Sequence, residues 1–146
     1  MDGRCIDIKP ICDSFEVVSV FKDSIYEPNY DKLMTLGNRL SADGSEVLGY
    51  EENGLILGGI AYEISGNLAV IKYISTDGGH RHRGIGSFLI ESAFSGFDGV
   101  VEAETDSDAA GFYKKCGFEV TDLGELYPGI ERFKCEKVFK NNKGEN

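Results

Sequence analysis

The residues with the most chemistry to offer stand together in one stretch, Ile74-Ser75-Thr76-Asp77-Gly78-Gly79-His80-Arg81-His82-Arg83-Gly84-Ile85-Gly86-Ser87. A strand ends there, a glycine-rich basic loop follows and an apolar helix begins, and that succession suits the binding of an anion. The first N–H groups of a helix have no partner inside it, and the helix dipole adds about half a positive charge at that end, so a diphosphate can be held by backbone alone. Gly84 and Gly86 allow a ligand close to the main chain, while Arg81 and Arg83 add charge. Taken alone, the glycines also suit a plain strand-to-helix turn, and the arginines also suit solvated loop positions. Lys and Arg total 15 against 25 Asp and Glu, a net charge of -10, and in such a chain a cluster of positive charge needs a reason.

Two familiar phosphate loops do not fit. A Walker loop needs Gly-Lys followed by Ser or Thr, and no such run occurs. A dinucleotide fingerprint needs a small third residue where Leu89 stands, near the start of a chain of parallel units that this sequence does not show. What remains is Arg81-x-x-Gly84-x-Gly86, and here the sequence resembles the GNAT superfamily of N-acetyltransferases, whose R/Q-x-x-G-x-G/A motif binds the pyrophosphate of acetyl-CoA. The context agrees. The family's preceding strand ends L-x-V-x-P-x-x-R, and Ile74, Thr76, Gly78 and Arg81 take those places, with Thr and Gly in place of Val and Pro. Downstream, the family's N-x-x-A and Y-x-K-x-G-F are matched in order by Asp106 and Ala109 and by Tyr113-Lys114-Lys115-Cys116-Gly117-Phe118.

The resemblance implies a set of roles. The main chain of Ile74 and Thr76 pairs with the pantetheine arm like an added strand, and the amides of His82, Arg83, Gly84, Ile85, Gly86 and Ser87 face the pyrophosphate. The fourth and fifth strands, Leu68 to Thr76 and Val100 to Glu104, splay apart around the thioester, and an amide of the fourth holds the carbonyl oxyanion. Tyr113 takes the place of the proton donor to the departing thiolate; as plain chemistry, it also suits a core aromatic beside Phe112. Asp106 stands where the family has an Asn that hydrogen-bonds the arm, and a carboxylate can only accept. The activity implied is direct acetyl transfer from acetyl-CoA to a small amine or a protein amino group, with no nucleophilic Ser or Cys. Glu63, Glu102 and Glu104 are candidate bases. The rival is a non-catalytic acyl-CoA-binding module, which could keep the loop yet dispense with Tyr113.

The elements that must position these residues are legible from apolar periodicity and turns. Cys5 to Pro10 alternates like a first strand, Asp13 or Ser14 could cap a helix through Phe15, Val18 and Phe21, and a second helix covers Asp31 to Leu40. Val47–Tyr50, Asn53-Gly54 and Leu55–Ile64 make a hairpin, and Ser65-Gly66-Asn67 leads into Leu68–Thr76. Gly84–Ser95 carries the stripe of a packed helix, Val100–Glu104 is a strand, and Asp106–Lys115 a short helix. Phe118–Leu123 and Ile130–Val138 are strands joined through Tyr127-Pro128-Gly129. The order implies a mixed sheet with helices on both faces. With the resemblance, the expected fold is α/β (α+β): a GNAT-like, mostly antiparallel sheet of six to seven strands.

Composition sets the frame. A chain of 146 residues, 41% hydrophobic and 27% charged, suits a single domain over residues 1–140 with a polar tail at 141–146 that is expected to fray. The acid surplus argues against nucleic acid as a partner and favours a cationic acceptor such as a polyamine, an aminoglycoside or a lysine side chain. No apolar run approaches the roughly 18 residues of a membrane span, and the opening Met1-Asp2-Gly3-Arg4 is unlike a signal peptide, so a cytoplasmic location is expected. Cys5, Cys12, Cys116 and Cys135 form no C-x-x-C pair and read as reduced thiols, and His80 and His82 have no cysteine neighbours, so no metal is expected. Monomer and homodimer both remain open.

Overall fold

A computed structural model describes residues 2–141; residues 142–146, most of the expected polar tail, lie outside the described residues. In chain order the elements are β1 (Arg4–Asp7), a 3-10 turn at Lys9–Ile11, α1 (Phe15–Val18), a 3-10 helix at Ser19–Ser24 and α2 (Tyr30–Ala42). Then come β2 (Glu46–Glu52), β3 (Leu55–Ser65), β4 (Leu68–Thr76), a 3-10 turn at Gly78–His80 and α3 (Ile85–Ala93). The chain closes with β5 (Gly99–Thr105), α4 (Ser107–Lys115), β6 (Glu119–Tyr127) and β7 (Ile130–Phe139). The seven strands form one sheet in the order β1-β2-β3-β4-β5-β7-β6. The pairs β1–β2, β2–β3, β5–β7 and β6–β7 are antiparallel, and β4–β5 is parallel. The mixed, mostly antiparallel sheet is therefore the expected one.

Two expected elements are shorter than the sequence pattern implied. The first strand stops at Asp7, where the carboxylate accepts a hydrogen bond from the Lys9 amide at 3.0 Å and turns the chain into the 3-10 segment that holds Pro10. The helix expected through Phe21 is α-helical only over Phe15–Val18 and tightens to 3-10 from Ser19. Val17, Val18 and Val20 are stiff, crowded side chains for a helix, and the Ser19 hydroxyl donates to the Glu16 carbonyl at 2.9 Å, offering the backbone a local alternative.

Backbone contacts gather the chain into two compact units, one of residues up to 63 with 72–95, the other of residues 64–71 with 96 onward. In the first, adjacent glycines on β3 show why helices can lie on both faces. A Cβ on Gly58 would fall 2.7 Å from Ile85 Cγ2 of α3, and one on Gly59 would fall 2.8 Å from Phe21 Cζ. Successive strand residues face opposite ways, so α3 closes on one face of β3 and the N-terminal helices on the other. The N-terminal side holds a buried cluster that includes Ile8, Val18, Phe21, Leu36, Leu40 and Val47. On the α3 side, Tyr50 meets Phe88 edge-on at 5.6 Å and Tyr62 meets Phe94 at 4.9 Å.

In the second unit β5 pairs with β7 from Gly99↔Phe139 to Thr105↔Phe133, and Val101, Ala103 and Cys135 are buried with Ala110, Tyr113 and Phe118 of the α4 region. The parallel pair is short, Leu68–Val70 beside Val100–Glu102, and each strand runs on beyond it, β4 to Thr76 and β5 to Thr105. None of the four cysteines is in a disulfide among the described residues, and burial pushes the thiols of Cys5, Cys12 and Cys135 above their ordinary value. Among the described residues no helix is long and apolar enough to cross a membrane, and no group of three or more His, Cys, Asp and Glu could hold a metal.

The glycines give a paired stability test. Gly59→Ala should destabilise the fold by about 1–3 kcal/mol through overpacking against Phe21. Gly111→Ala, in α4 where an added Cβ meets nothing within 4 Å, should stabilise it by about 0.5–1 kcal/mol through helix propensity. Urea unfolding midpoints measure both; equal effects would remove close helix packing as the reason for glycine at position 59.

Candidate functional site

The loop after β4 is tied to the sheet before it reaches α3. The Asp77 amide donates to the Leu57 carbonyl of β3 at 2.8 Å, and the Asp77 carboxylate accepts from the Gly79 amide at 3.2 Å and lies 2.9 Å from His80 Nδ1. The hydrogen bond with His80 is the main reason that this carboxyl is held below its ordinary range. Further on, His82 and Gly84 both have positive φ, 64° and 84°. Glycine takes that conformation without a Cβ clash, whereas it is uncommon for a histidine. The chain enters α3 from Gly84 in this left-handed state.

Helix α3 has no side-chain cap. The Phe88 amide closes on the Gly84 carbonyl at 2.9 Å, so the amides of Ile85, Gly86 and Ser87 precede the first intrahelical bond. The other long helices differ: Asn29 accepts from the Lys32 amide at 2.8 Å at the start of α2, and Asp106 accepts from the Ala109 amide at 3.0 Å at the start of α4. An added Cβ at Gly84 would meet nothing within 4 Å, which leaves open space at the α3 entrance. Uncapped amides, a positive dipole end and open space are features that suit an anion.

The arginine side chains are otherwise engaged. Arg81 pairs with Asp23 at 2.7 Å, and Arg83 pairs with Glu52 at 2.7 Å. Glu52 also accepts from the Tyr50 hydroxyl at 2.8 Å, and that hydroxyl accepts from the Gly3 amide at 2.9 Å. The Arg83 hydrogen bond, then that of Tyr50, holds the Glu52 carboxyl below its ordinary value, and the same contact raises Arg83. Both arginines expected at the phosphate thus have carboxylate partners.

On β4, the Ile74 carbonyl accepts from the Ser24 hydroxyl at 2.7 Å, while Thr76 is half-buried at the strand end. Asp106 is exposed and spends one carboxylate oxygen on capping α4. In the second unit Tyr113 is only 3% exposed, with Phe112 and Phe118 edge-on at 5.3 and 5.2 Å. Burial is the main cause that pushes its phenol well above the ordinary value of 10. No hydrogen bond among the described residues ends on its hydroxyl. The three candidate bases are all tied to cations: Glu63 to Lys72 at 2.9 Å, Glu102 to Lys134 at 3.6 Å and Glu104 to Arg132 at 3.2 Å. Sequence reasoning missed Ser24, Asp23, Tyr50 and Glu52, because their partners lie across the fold and no local spacing announces them.

Comparison with known proteins follows the same lines. The family model of the acetyltransferase (GNAT) domain matches residues 43–120. No curated protein matches the sequence. Among solved structures, Ard1 from Thermoplasma volcanium is 22% identical with a TM-score of 0.71, over 94% of this chain and 98% of that one. The ribosomal-protein-S18-alanine N-acetyltransferase from Escherichia coli is 14% identical with a TM-score of 0.70, over 99% and 97%. Another, yncA from Salmonella typhimurium with its cofactor acetyl-CoA, is 16% identical with a TM-score of 0.69, over 94% of each chain. These likenesses speak to the fold. The family model spans more than half of the residues and takes in both the glycine loop and the Tyr113 helix; the chain belongs to the GNAT acetyltransferase family.

Proposed function

We propose that this chain is an N-acetyltransferase that uses acetyl-CoA, with residues 1–140 acting as one catalytic domain. The observation that carries the reading is the uncapped start of α3 after the loop that follows β4: three amides with no acceptor among the described residues, behind a glycine with open space beside it. The Salmonella relative was solved with acetyl-CoA, and the donor set here suits the diphosphate of that molecule. When bound, acetyl-CoA supplies an activated acyl carbon and a thiolate leaving group.

The chain's own residues then divide the work. The amides from His82 to Ser87 hold the diphosphate, and Arg81 and Arg83, balanced by Asp23 and Glu52, shape the loop more than they supply charge. The main chain of Ile74 and Thr76 takes the pantetheine arm along β4, beyond Val70 where parallel pairing has ended, and Ser24 steadies that strand at the Ile74 carbonyl. Asp106, with one oxygen engaged as a cap, can accept further hydrogen bonds but donate none. A β4 amide faces the oxyanion. The acceptor nitrogen, as neutral amine, forms the C–N bond as the C–S bond breaks and its electron pair leaves on sulfur. Tyr113 gives its phenolic proton to that sulfur and recovers one from the acetylated nitrogen through water, so one proton is released for each ammonium ion consumed.

One observation favours the second reading, a module that binds an acyl-CoA without turnover. Burial raises Tyr113 above its ordinary 10, and a phenol so raised is a weaker acid toward a thiolate whose thiol titrates near 8.5. The same burial, however, keeps the phenol protonated at neutral pH, as a donor must be.

Two variants separate the roles. Gly86→Val, at the second position of α3, should weaken acetyl-CoA at least tenfold by calorimetry, about 1.4 kcal/mol or more, in a protein that still folds. Unchanged affinity would remove the diphosphate from this loop. Tyr113→Phe keeps the ring and deletes the hydroxyl, so kcat should fall roughly 10²- to 10⁴-fold with little change in acetyl-CoA affinity. A wild-type rate with chemistry limiting would make Tyr113 a packing residue, and thermal unfolding of the same preparation separates that outcome from loss of fold.

A further inference from the structure

The chain has five arginines, and four of them meet a carboxylate: Arg4 with Glu51 at 3.4 Å, Arg81 with Asp23, Arg83 with Glu52 and Arg132 with Glu104. Arg39 on α2 has no carboxylate partner among the described residues. Instead its guanidinium donates to the Tyr73 hydroxyl at 2.6 Å and lies 5.9 Å from the centre of that ring. In a chain of net charge -10, an arginine held in place by a neutral group and left without a counter-ion is the exception.

Arg39 lines a cleft of about 340 Å³ within the first unit, with Ile25, Leu36 and Tyr73 as its apolar walls and Asp31, Lys32 and Thr35 as further polar lining. Residues 32, 35, 36 and 39 recur at helical spacing, so α2 turns one side to the cleft. Lys32 also has no carboxylate partner among the described residues; its ammonium donates to the Tyr26 carbonyl at 2.9 Å and sits 5.7 Å over that ring. The lining thus carries two cations and one carboxylate, a net single positive charge. That suits a monoanion, and the volume suits a small molecule.

The cleft adjoins the strand to which the acyl donor is assigned. Tyr73 precedes Ile74 on β4, and Ile25 follows Ser24, whose hydroxyl is bonded to the Ile74 carbonyl. A ligand seated between α2 and Tyr73 is therefore next to the backbone proposed to carry the pantetheine arm.

We propose that the acetyl acceptor is an amine that also bears a carboxylate, an amino acid or a close analogue, and that Arg39 receives the carboxylate in this cleft. The inference rests on the transfer reading above. The planar fork of Arg39 has donors to spare after its bond to Tyr73, and it matches a carboxylate with two parallel hydrogen bonds. Tyr73 holds the guanidinium in place at an exposed, open cleft. Asp31 is the lining's single carboxylate and complements the ammonium group that such an acceptor carries before it loses its proton. The acid surplus of the whole chain, which favours a cationic acceptor on average, is reversed locally. Arg39 and Tyr73 are specificity and positioning residues; the bonds made and broken are those already given for the transfer.

The experiment sets each of a panel of amino acids beside its decarboxylated amine, for example leucine beside isoamylamine and phenylalanine beside phenethylamine, and measures kcat/KM with acetyl-CoA saturating. At least one amino acid should exceed its amine by tenfold or more, and Arg39→Glu should collapse that ratio chiefly through KM. Equal or better use of every decarboxylated amine overturns the proposal, as does a preference that survives Arg39→Glu. A separate titration reads the cleft without turnover: N-acetyl-leucine, the product class, should shift the NMR amide signals of Arg39 and Tyr73 in the wild-type protein, and uncharged N-acetyl-leucinamide should not. If no amine is acetylated, the transfer reading fails on its own, and this titration still decides the cleft: carboxylate-selective shifts support the site, and none at about 10 mM overturn it.

Discussion

Helix α3 can approach β3 only because Gly58 presents no side chain where Ile85 arrives, and the candidate site depends on that approach. Ile85 is also the first residue of α3, so the contact that buries the helix fixes the place of its N-terminus. The Asp77 amide, bonded to Leu57 one residue before Gly58, ties the loop to the same point of the strand. The uncapped amides thus start from a position held by packing on one side and by a hydrogen bond on the other. An anion site made of backbone needs such support, because the donors cannot reorient as side chains do.

Electrostatics around the loop follow from the acid surplus. Four of five arginines are neutralised by neighbours, including both that the motif would offer to phosphate. Most of these pairs are exposed and each contributes little to stability, so their effect is to place the chain. The Glu52 pair also sets a sign. Its carboxyl lies below the ordinary 4.5 because Arg83 and Tyr50 hydrogen-bond the charged form. A folded value below the unfolded one means that the contribution is present above that pH and is lost as pH falls through the folded value. Asp77, lowered by His80, behaves in the same direction. Acid therefore weakens both pairs, Glu52 with Arg83 and Asp77 with His80, in the same direction.

Much of this was legible in the sequence, and the parts that were not share a cause. Asn53-Gly54 forecast a hairpin, and its φ values of 53° and 81° are those a type I′ turn requires. The strand, glycine loop and helix around Gly84 could be read because their signals are local. The failure of the first helix beyond Val18 was also local, but it rests on a competition between valine crowding and the Ser19 hydroxyl that an apolar stripe does not report. What no pattern could supply is long-range pairing: Arg81 with Asp23 is 58 residues apart, and Ser24 with Ile74 is 50. The motif pointed to this loop, but its spacing carries no sign that Arg81 and Arg83 pair with Asp23 and Glu52.

A charge already paired with a carboxylate differs from one held by a neutral group. Arg81 and Arg83 sit in the family motif yet are balanced, while Arg39 lies outside it on α2 and has no carboxylate partner among the described residues. A guanidinium paired with a carboxylate has already exchanged its hydration for a partner, and a ligand that claims it must break that pair. One held by a phenol keeps its full charge and its orientation, since Tyr73 restricts its motion without neutralising it. Affinity for an anion should therefore be concentrated where the motif is silent, at the α2 cleft for a single charge, and at α3 where the donors are amides that no carboxylate has claimed. On the proposed reading, the guanidinium of Arg39 on α2 and the amides that open α3 serve two different molecules without competition for one set of cations.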